Sequence, residues 1–534
     1  MALPSLDAVS LSNTLTGYHA TALLLVVLYL YLTLRRWRIR HQRNPANLPY
    51  PPGPQPWPIV GNMFNIARDN ECAAYQKLAK QYGDLVFLSA FGKNVLFVNS
   101  FEAANELFEK RSSNYSDRVQ SIMSHELMGW DFSFGHMRYG DRWKKHRRIF
   151  HSQFQQSAAP AYWSVQRREA HALLRRLLHS PDNLFYHLRH NAAAVIMSVI
   201  YGINIAEKED RYIALAEKAL EGMGRAASPG AFYVDIIPML KNIPEWVPGA
   251  SFKRQAREWR DAVMGMRNAP FATTMQDMKD GTAQPSFVAT LMEELYSKGN
   301  FSDDDIETIK NCAGLSYAAG AESTVSTLAS VILALVLNPE VQIKAQEELD
   351  RVVGHDRLPD FNDRPNLPYT TAILKEVLRW NPVAPLGLPH MSTNDDEFRG
   401  YFIPGGTIIV GNSWGILHDP VAYPEPEKFK PERFLGHPEG QAFTPTDRLS
   451  SAFGYGRRTC PGKYVAEAQV WISIACILSV FDIRKALDEY GRPIEVVPAF
   501  SSGMICHPLS FKFSMKPRSA AARFLIEQTE NSVF

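Results

Sequence analysis

The chain has 534 residues, 46% of them hydrophobic and 21% charged, with a formal net charge of +2. That apolar share supplies a large core and argues against a disordered or fibrous chain, and so small a net charge gives no reason to expect nucleic acid as a partner. The five cysteines (Cys72, Cys312, Cys460, Cys476, Cys506) are scattered and odd in number, which suggests no disulfide framework or CxxC metal site and indicates a reducing compartment.

Residues 18–34 are almost wholly apolar and are followed by Arg35, Arg36, Arg38 and Arg40. At 1.5 Å per residue the run reaches roughly 26 Å, slightly short of a bilayer core of about 30 Å. A cleaved signal peptide fits less well, because the charge follows the apolar run and no small-residue cleavage site comes after it. The arginines keep their side in the cytosol. We therefore expect a short lumenal segment over 1–17, a transmembrane anchor over 18–34, and a body facing the cytosol from the endoplasmic reticulum membrane. Residues 35–62 read as a basic flank and a hinge, since Leu48-Pro-Tyr-Pro-Pro-Gly-Pro-Gln-Pro-Trp-Pro58 is too stiff for helix or central strand. Residues 63–534 read as one domain.

Two short strands are expected over 85–89 and 94–99, around Gly92. Further on, Trp143 and Arg147 stand four apart and share a helix face, with Lys144, Lys145 and Arg148 beside them. The longest helical pattern runs over 302–338, from a cap at Ser302 with three aspartates to a stop at Asn338-Pro339. Roughly 36 residues make about 54 Å of helix, apolar over most of its surface, which must cross the protein centre. Inside it stands Ala319-Gly320-Ala-Glu322-Ser323-Thr324. A mid-helix glycine costs about 1 kcal/mol against alanine. Either it is tolerated packing, with Ser323 bonded back to a carbonyl one turn earlier, or the stretch has work to do. A helix over 369–380 carries Glu376 and Arg379 on one face, and His390 begins a strand and turn pattern.

Near the C-terminus comes Phe453-Gly-Tyr-Gly-Arg-Arg-Thr-Cys460-Pro-Gly462, running into a helix. Pro461 suits the first turn, and Gly454 and Gly456 permit a tight hairpin. Gly462 lets backbone approach a flat ligand. A sulfur at a helix N-terminus, with Arg457 and Arg458 nearby, is favoured as thiolate, and a thiolate on a rigid loop is one way that proteins ligate haem iron.

This stretch meets every fixed position of F-x-x-G-x-R-x-C-x-G and so resembles the haem-binding signature of the cytochrome P-450 family. Upstream, the 319–324 stretch resembles the family's oxygen-binding groove, with Ser323 where threonine is usual. Glu376, Arg379 and Pro431-Glu-Arg433-Phe434 resemble its structural triad. The resemblance extends over nearly the whole chain and is nearest to membrane-bound fungal members of specialised metabolism. It implies a mainly helical fold with a small sheet region and one haem b ligated by Cys460. Phe453, Gly456, Arg458 and Gly462 would shape the loop, and Trp143, Arg147 and His390 would reach the propionates. Gly320 would open room over the iron, with Glu322 and Ser323 delivering protons.

The reaction implied is insertion of one oxygen atom into an apolar substrate, terpenoid, aromatic or alkaloid. Electrons would come from an NADPH-dependent reductase docking near Lys144, Lys145, Arg148, Arg457 and Lys463. Residues 121–134, 315–319, 383–388 and 500–504 would form the pocket. Two other readings stay open: a reductase-independent haem-thiolate isomerase or dehydratase, and a non-enzymatic haem-binding membrane protein. The sequons at Asn114 and Asn300 are expected to be unused, being cytosolic.

Overall fold

The computed structural model describes residues 41–67, 69–228, 230–436 and 444–530, with single positions between 23 and 38. The expected lumenal segment and most of the expected anchor lie outside the described residues. The described chain is mainly helical. α1 (Glu71–Tyr82) leads into the hairpin β1 (Leu85–Ala90) and β2 (Lys93–Val98), followed by β3 (Asp117–Arg118). Then come α2 (Asp141–Phe154), α3 (Trp163–His179), α4 (Leu184–Tyr201), α5 (Arg211–Ala227), α6 (Ser251–Asp280) and α7 (Phe287–Lys298). α8 (Asp303–Leu337), α9 (Pro339–Val352) and α10 (Pro368–Trp380) precede the strands β4 (His390–Met391), β5 (Asp396–Phe398), β6 (Tyr401–Ile403) and β7 (Ile408–Gly411). The chain closes with α11 (Lys463–Val480), β8 (Phe481–Lys485), β9 (Phe513–Pro517) and α12 (Ala520–Gln528). The main sheet has the order β1-β2-β7-β4-β3, with β2 and β7 parallel and its other pairs antiparallel.

α8 begins as its sequence requires. The Asp305 carboxylate accepts from the Ser302 backbone N–H at 2.9 Å and from its hydroxyl at 2.8 Å. Asp303, Asp304 and Asp305 then place negative charge on the positive end of the helix dipole. Lys145 of α2 closes on this start, pairing with Asp304 and, at 2.7 Å, with Asp305. The helix crosses two apolar cores. Ile309, Cys312, Ala313, Tyr317 and Ala318 belong to one, shared with α2, α4, α6 and α7. Val325 to Val336 belong to the other, shared with α3, α10 and α11. Residues 319–323 belong to neither core. Both α8 and α11 are long and apolar enough to span a bilayer, yet each is 72% buried over its most apolar window, so they are core helices.

The proline-rich stretch is fastened to the body at the sheet. Phe87 N donates to Pro52 O at 2.7 Å and Phe402 N to Pro49 O at 2.8 Å. Tyr50 stacks on Phe87 at 5.1 Å between ring centroids. Prolines still offer carbonyls, so this segment caps the sheet by accepting where it cannot donate.

Candidate active site

The cysteine loop is built from its own backbone. Short 3₁₀ turns at Ser450–Phe453 and Gly456–Arg458 lead to Cys460, whose N–H donates to Phe453 O at 2.7 Å and closes the loop just before α11. The Phe453 ring packs against the core that holds α11. Gly456 has φ of +54°, and a Cβ there would stand 2.1 Å from Phe108 O, so no side chain fits. A Cβ on Gly462 would meet no protein atom within 4 Å, which leaves that backbone face accessible to a flat group.

Burial raises the Cys460 thiol above its ordinary pKa; the Gly462 N–H, Arg147 and Lys463 pull it back down, and Glu467 opposes them. The cations acting on the sulfur are therefore not Arg457 and Arg458, as the sequence suggested. Arg458 turns into backbone carbonyls, donating to Ser116 O at 2.8 Å, Phe134 O at 3.2 Å and Met137 O at 2.7 Å. Its guanidinium also lies 4.5 Å over the Trp143 ring. Arg457 is held by the Tyr139 hydroxyl. A thiol so shielded ionises best when a cation binds it.

Around this loop the charge is positive and buried. Arg118, on β3, donates to Gly135 O and Pro389 O at 3.0 Å each, and to Leu388 O. Burial pushes its pKa well below the ordinary arginine range, Arg458 adds to the push, and Asp117 opposes it. Neither Arg118 nor Arg458 has a salt bridge among the described residues. Cross-strand from Arg118, His390 sets Nδ1 2.6 Å from Tyr115 O. Burial and then Arg118 hold it neutral, well below the ordinary histidine pKa. Burial also lowers Arg147, which has no carboxylate partner among the described residues. Two interior guanidiniums in mutual repulsion, with a third unpaired beside the cysteine, need an anion. A flat macrocycle with two carboxylates and an iron for the sulfur fits this set.

On α8 the burial opens where the two cores part. Ala319 is exposed and residues 320–323 are half-buried, although both flanks are buried. Gly320 is explained by packing, because a Cβ there would reach Ile196 of α4 at 2.8 Å. The glycine thus lets α4 approach, and the opening lies instead at Ala319. Ser323 Oγ donates to Ala319 O at 3.0 Å, the back-bond that its position allows. Glu322 is held from two sides, with Arg189 Nε 4.0 Å from Oε1 and His507 Nε2 3.3 Å from Oε2. A small cleft of about 20 Å³ between α4, α5 and α8 reaches Glu322, lined also by Arg189, Glu217 and Tyr317. A larger groove of about 610 Å³, lined by Arg167, His171 and Asp360 among others, includes none of the expected site residues. Sequence reasoning missed Arg118, Arg189 and His507, because no local motif surrounds them.

A mainly helical body around one long central helix, with a cysteine loop beside a buried cationic set, defines the architecture of a haem-thiolate protein. The family model for cytochrome P-450 matches residues 51–513, and the chain belongs to that family. The match takes in the proline-rich stretch, in line with its attachment to the sheet. The chain is 43% identical to cytochrome P-450 monooxygenase 98 of Postia placenta, over 92% of this chain and 95% of that relative. It is 38% identical to tryptamine 4-monooxygenase of Psilocybe cyanescens, over 90% of this chain and 94% of that relative. It is likewise 38% identical to monooxygenase ple1 of Rhodocybe pseudopiperita, over 95% and 96%. The expected likeness to fungal monooxygenases is borne out, and the family implies haem ligated by a cysteine thiolate.

Proposed function

We propose that this monooxygenase inserts one oxygen atom from dioxygen into an apolar small molecule, with electrons from NADPH delivered by a separate reductase. The observation that carries this reading is Glu322 and Ser323 standing where α8 opens between its two cores, in a chain whose cysteine loop is ringed by unpaired guanidiniums. Bound haem b supplies the activation of dioxygen. The chain's own residues have separate tasks. Cys460 would ligate the haem iron through its thiolate. Arg118, Arg147, Arg458, His390 and Trp143 would hold the propionates, Arg147 being the donor beside the sulfur with no carboxylate partner among the described residues. Phe453, Gly456 and Gly462 keep the loop's shape, while Gly320 keeps α4 close. Glu322 stores a proton and Ser323 hands it on.

Met123, Met128, Trp130 and Phe132 of the 121–134 segment lie buried in an apolar core that includes the first half of α8, which suits an apolar or aromatic substrate. The relative named for tryptamine makes indole-ethylamines the first panel to test. Arg148 and Arg457 are exposed beside the cysteine loop and suit an acidic reductase. Exposed Trp57, Ile59, Phe64, Ile237, Met239 and Trp246 support a membrane-associated body at the endoplasmic reticulum. The deciding experiment is turnover with NADPH, reductase and isotopically labelled dioxygen on panels of indole-ethylamines and sesquiterpenes. Labelled product that requires all three supports the proposal. Product formed without reductase would point to the isomerase reading.

A further inference from the structure

We propose that His507 is a positioning residue that holds the Glu322 carboxylate and feeds it protons. This inference rests on the monooxygenase reading. The two oxygens of Glu322 are taken by different elements, and the closer partner is His507 rather than Arg189, at 3.3 Å against 4.0 Å. His507 is also the more enclosed, with its side chain 23% exposed against 46% for Arg189.

The backbone behind His507 is built to keep it there. Its N–H donates to Ser501 Oγ at 2.9 Å, and its carbonyl accepts from Ser501 N at 2.8 Å. The preceding residue is stapled to the same helix. Cys506 N donates to Val383 O at 2.8 Å, and Cys506 O accepts from the Ser326 hydroxyl, one turn past Glu322. Cys506 Sγ meets Asn381 Oδ1 at 3.3 Å, and Asn381 Nδ2 donates to Ser330 Oγ at 2.8 Å. Glu322, Ser326 and Ser330 are spaced four apart, so one face of α8 is gripped along successive turns. Residues 500–504, expected to line the pocket, lie on the same loop.

The proton balance is simple. A ring carrying its one proton on Nε2 gives it to Oε2 of Glu322 while Nδ1, which has no protein partner among the described residues, takes a proton from water; exchange with water or rotation of the ring then restores the starting tautomer. The charged groups around this pair are Arg189 on α4 and Glu217 on α5 in the shared cleft. Glu71 and Cys72 on α1 lie beside Cys506.

Two arms test the proposal on the haem-loaded full chain. In the first, histidine-labelled protein in the reduced carbonyl form is compared by NMR with Glu322→Gln. The His507 ring-nitrogen resonances should move when the carboxylate is removed; unchanged resonances would overturn the pairing. In the second, His507→Ala should lower product per NADPH severalfold and flatten its pH profile, with the spectral dissociation constant for substrate unchanged. His507→Gln keeps a donor but cannot pass on a proton, so it should restore only part of the product yield and leave the pH profile flat. Full coupling and an unchanged profile in His507→Ala would overturn the relay role, with haem loading checked by the carbonyl spectrum. If the wild type makes no NADPH-driven product, the monooxygenase reading fails and the relay role with it, while the first arm still decides the pairing.

Discussion

Glu376 and Arg379 meet one turn apart on α10 with both side chains wholly buried, joined by two bonds of 2.8 Å. The pair is completed from a distance. Arg433 Nε comes within 3.4 Å of Glu376, Lys430 N donates to it at 2.8 Å, and Arg379 donates to Leu417 O at 3.1 Å. Two helical neighbours thus fix the segment that leads into the cysteine loop. Removing one partner strands the other charge in the interior, which costs about 3–5 kcal/mol. Glu376→Ala should therefore unfold at clearly lower denaturant concentration and load little haem. A loss under about 1 kcal/mol, the range of exposed pairs, would reduce the triad to a surface-like contact.

Acid should act through a neighbour of that triad. His418 is buried, with Nδ1 2.9 Å from Trp414 O. Burial, then Arg379, push its pKa from 6.5 down to about 3. The unfolded chain therefore binds the extra proton across that window. The stability from His418 is fully present above pH 6.5 and drains away as pH falls towards 3, by up to about 1.4 kcal/mol per pH unit. His418→Gln should show a flatter stability curve between pH 6 and 4, read by urea unfolding at each pH. Parallel curves would mean that the ring does not titrate with unfolding.

The basic face of α2 divides into two kinds of residue. Arg148 and Lys144 are exposed, whereas Lys145 is spent on Asp304 and Asp305. Lys145 also holds Asp305 below the usual carboxylate range, with Ser302 adding to the effect. Arg148→Glu should raise the apparent KM for reductase at low salt and leave substrate binding alone. Lys145→Glu should instead loosen the start of α8, lowering stability by at most about 1 kcal/mol because the pair is partly exposed. Equal effects of the two reversals on the reductase KM would show that Lys145 also belongs to the docking face.

What could be read in the sequence was local. Cys460 announces itself because the turn, the proline and the helix start stand within ten residues, and the Ser302 cap because cap and carboxylate are three apart. Arg118, Arg189 and His507 gave no such signal, since their partners are brought by other elements far along the chain. The ion pairs of Lys145 gave no signal for the same reason, a distant aspartate having no mark in the local pattern. The proline-rich stretch showed only its stiffness, because composition does not tell what its carbonyls accept. Gly320 was noticed for its cost, but its neighbour Ile196 lies on a helix over a hundred residues earlier and left no local mark.

The buried cations make haem retention testable apart from turnover. Arg118 and Arg458 repel each other in the interior, and a bound carboxylate offsets that repulsion. Arg118→Met should release haem severalfold faster to a scavenging haem protein. A release rate equal to wild type would take Arg118 out of the propionate contacts.

Ser323 differs from the family's usual threonine by one methyl, and the structure shows what its hydroxyl does without it. Oγ bonds back to Ala319 O at 3.0 Å, so its proton rests on the helix until the side chain rotates. Serine, with its freer χ1, can leave that bond more readily than a β-branched residue. It can equally admit stray water in place of an ordered relay. Ser323→Thr should therefore be tolerated, with equal or better coupling of NADPH use to product. Ser323→Ala should go on consuming NADPH but release hydrogen peroxide in place of most of the product, while Glu322→Ala should slow oxygen use itself. Because the two groups serve one relay, the double variant should be no worse than the poorer single one. The measurements are oxygen uptake, peroxide and product in one assay. Full product yield from Ser323→Ala would move the relay to another hydroxyl, and Thr324, buried one residue on, is the group that a further substitution would then test.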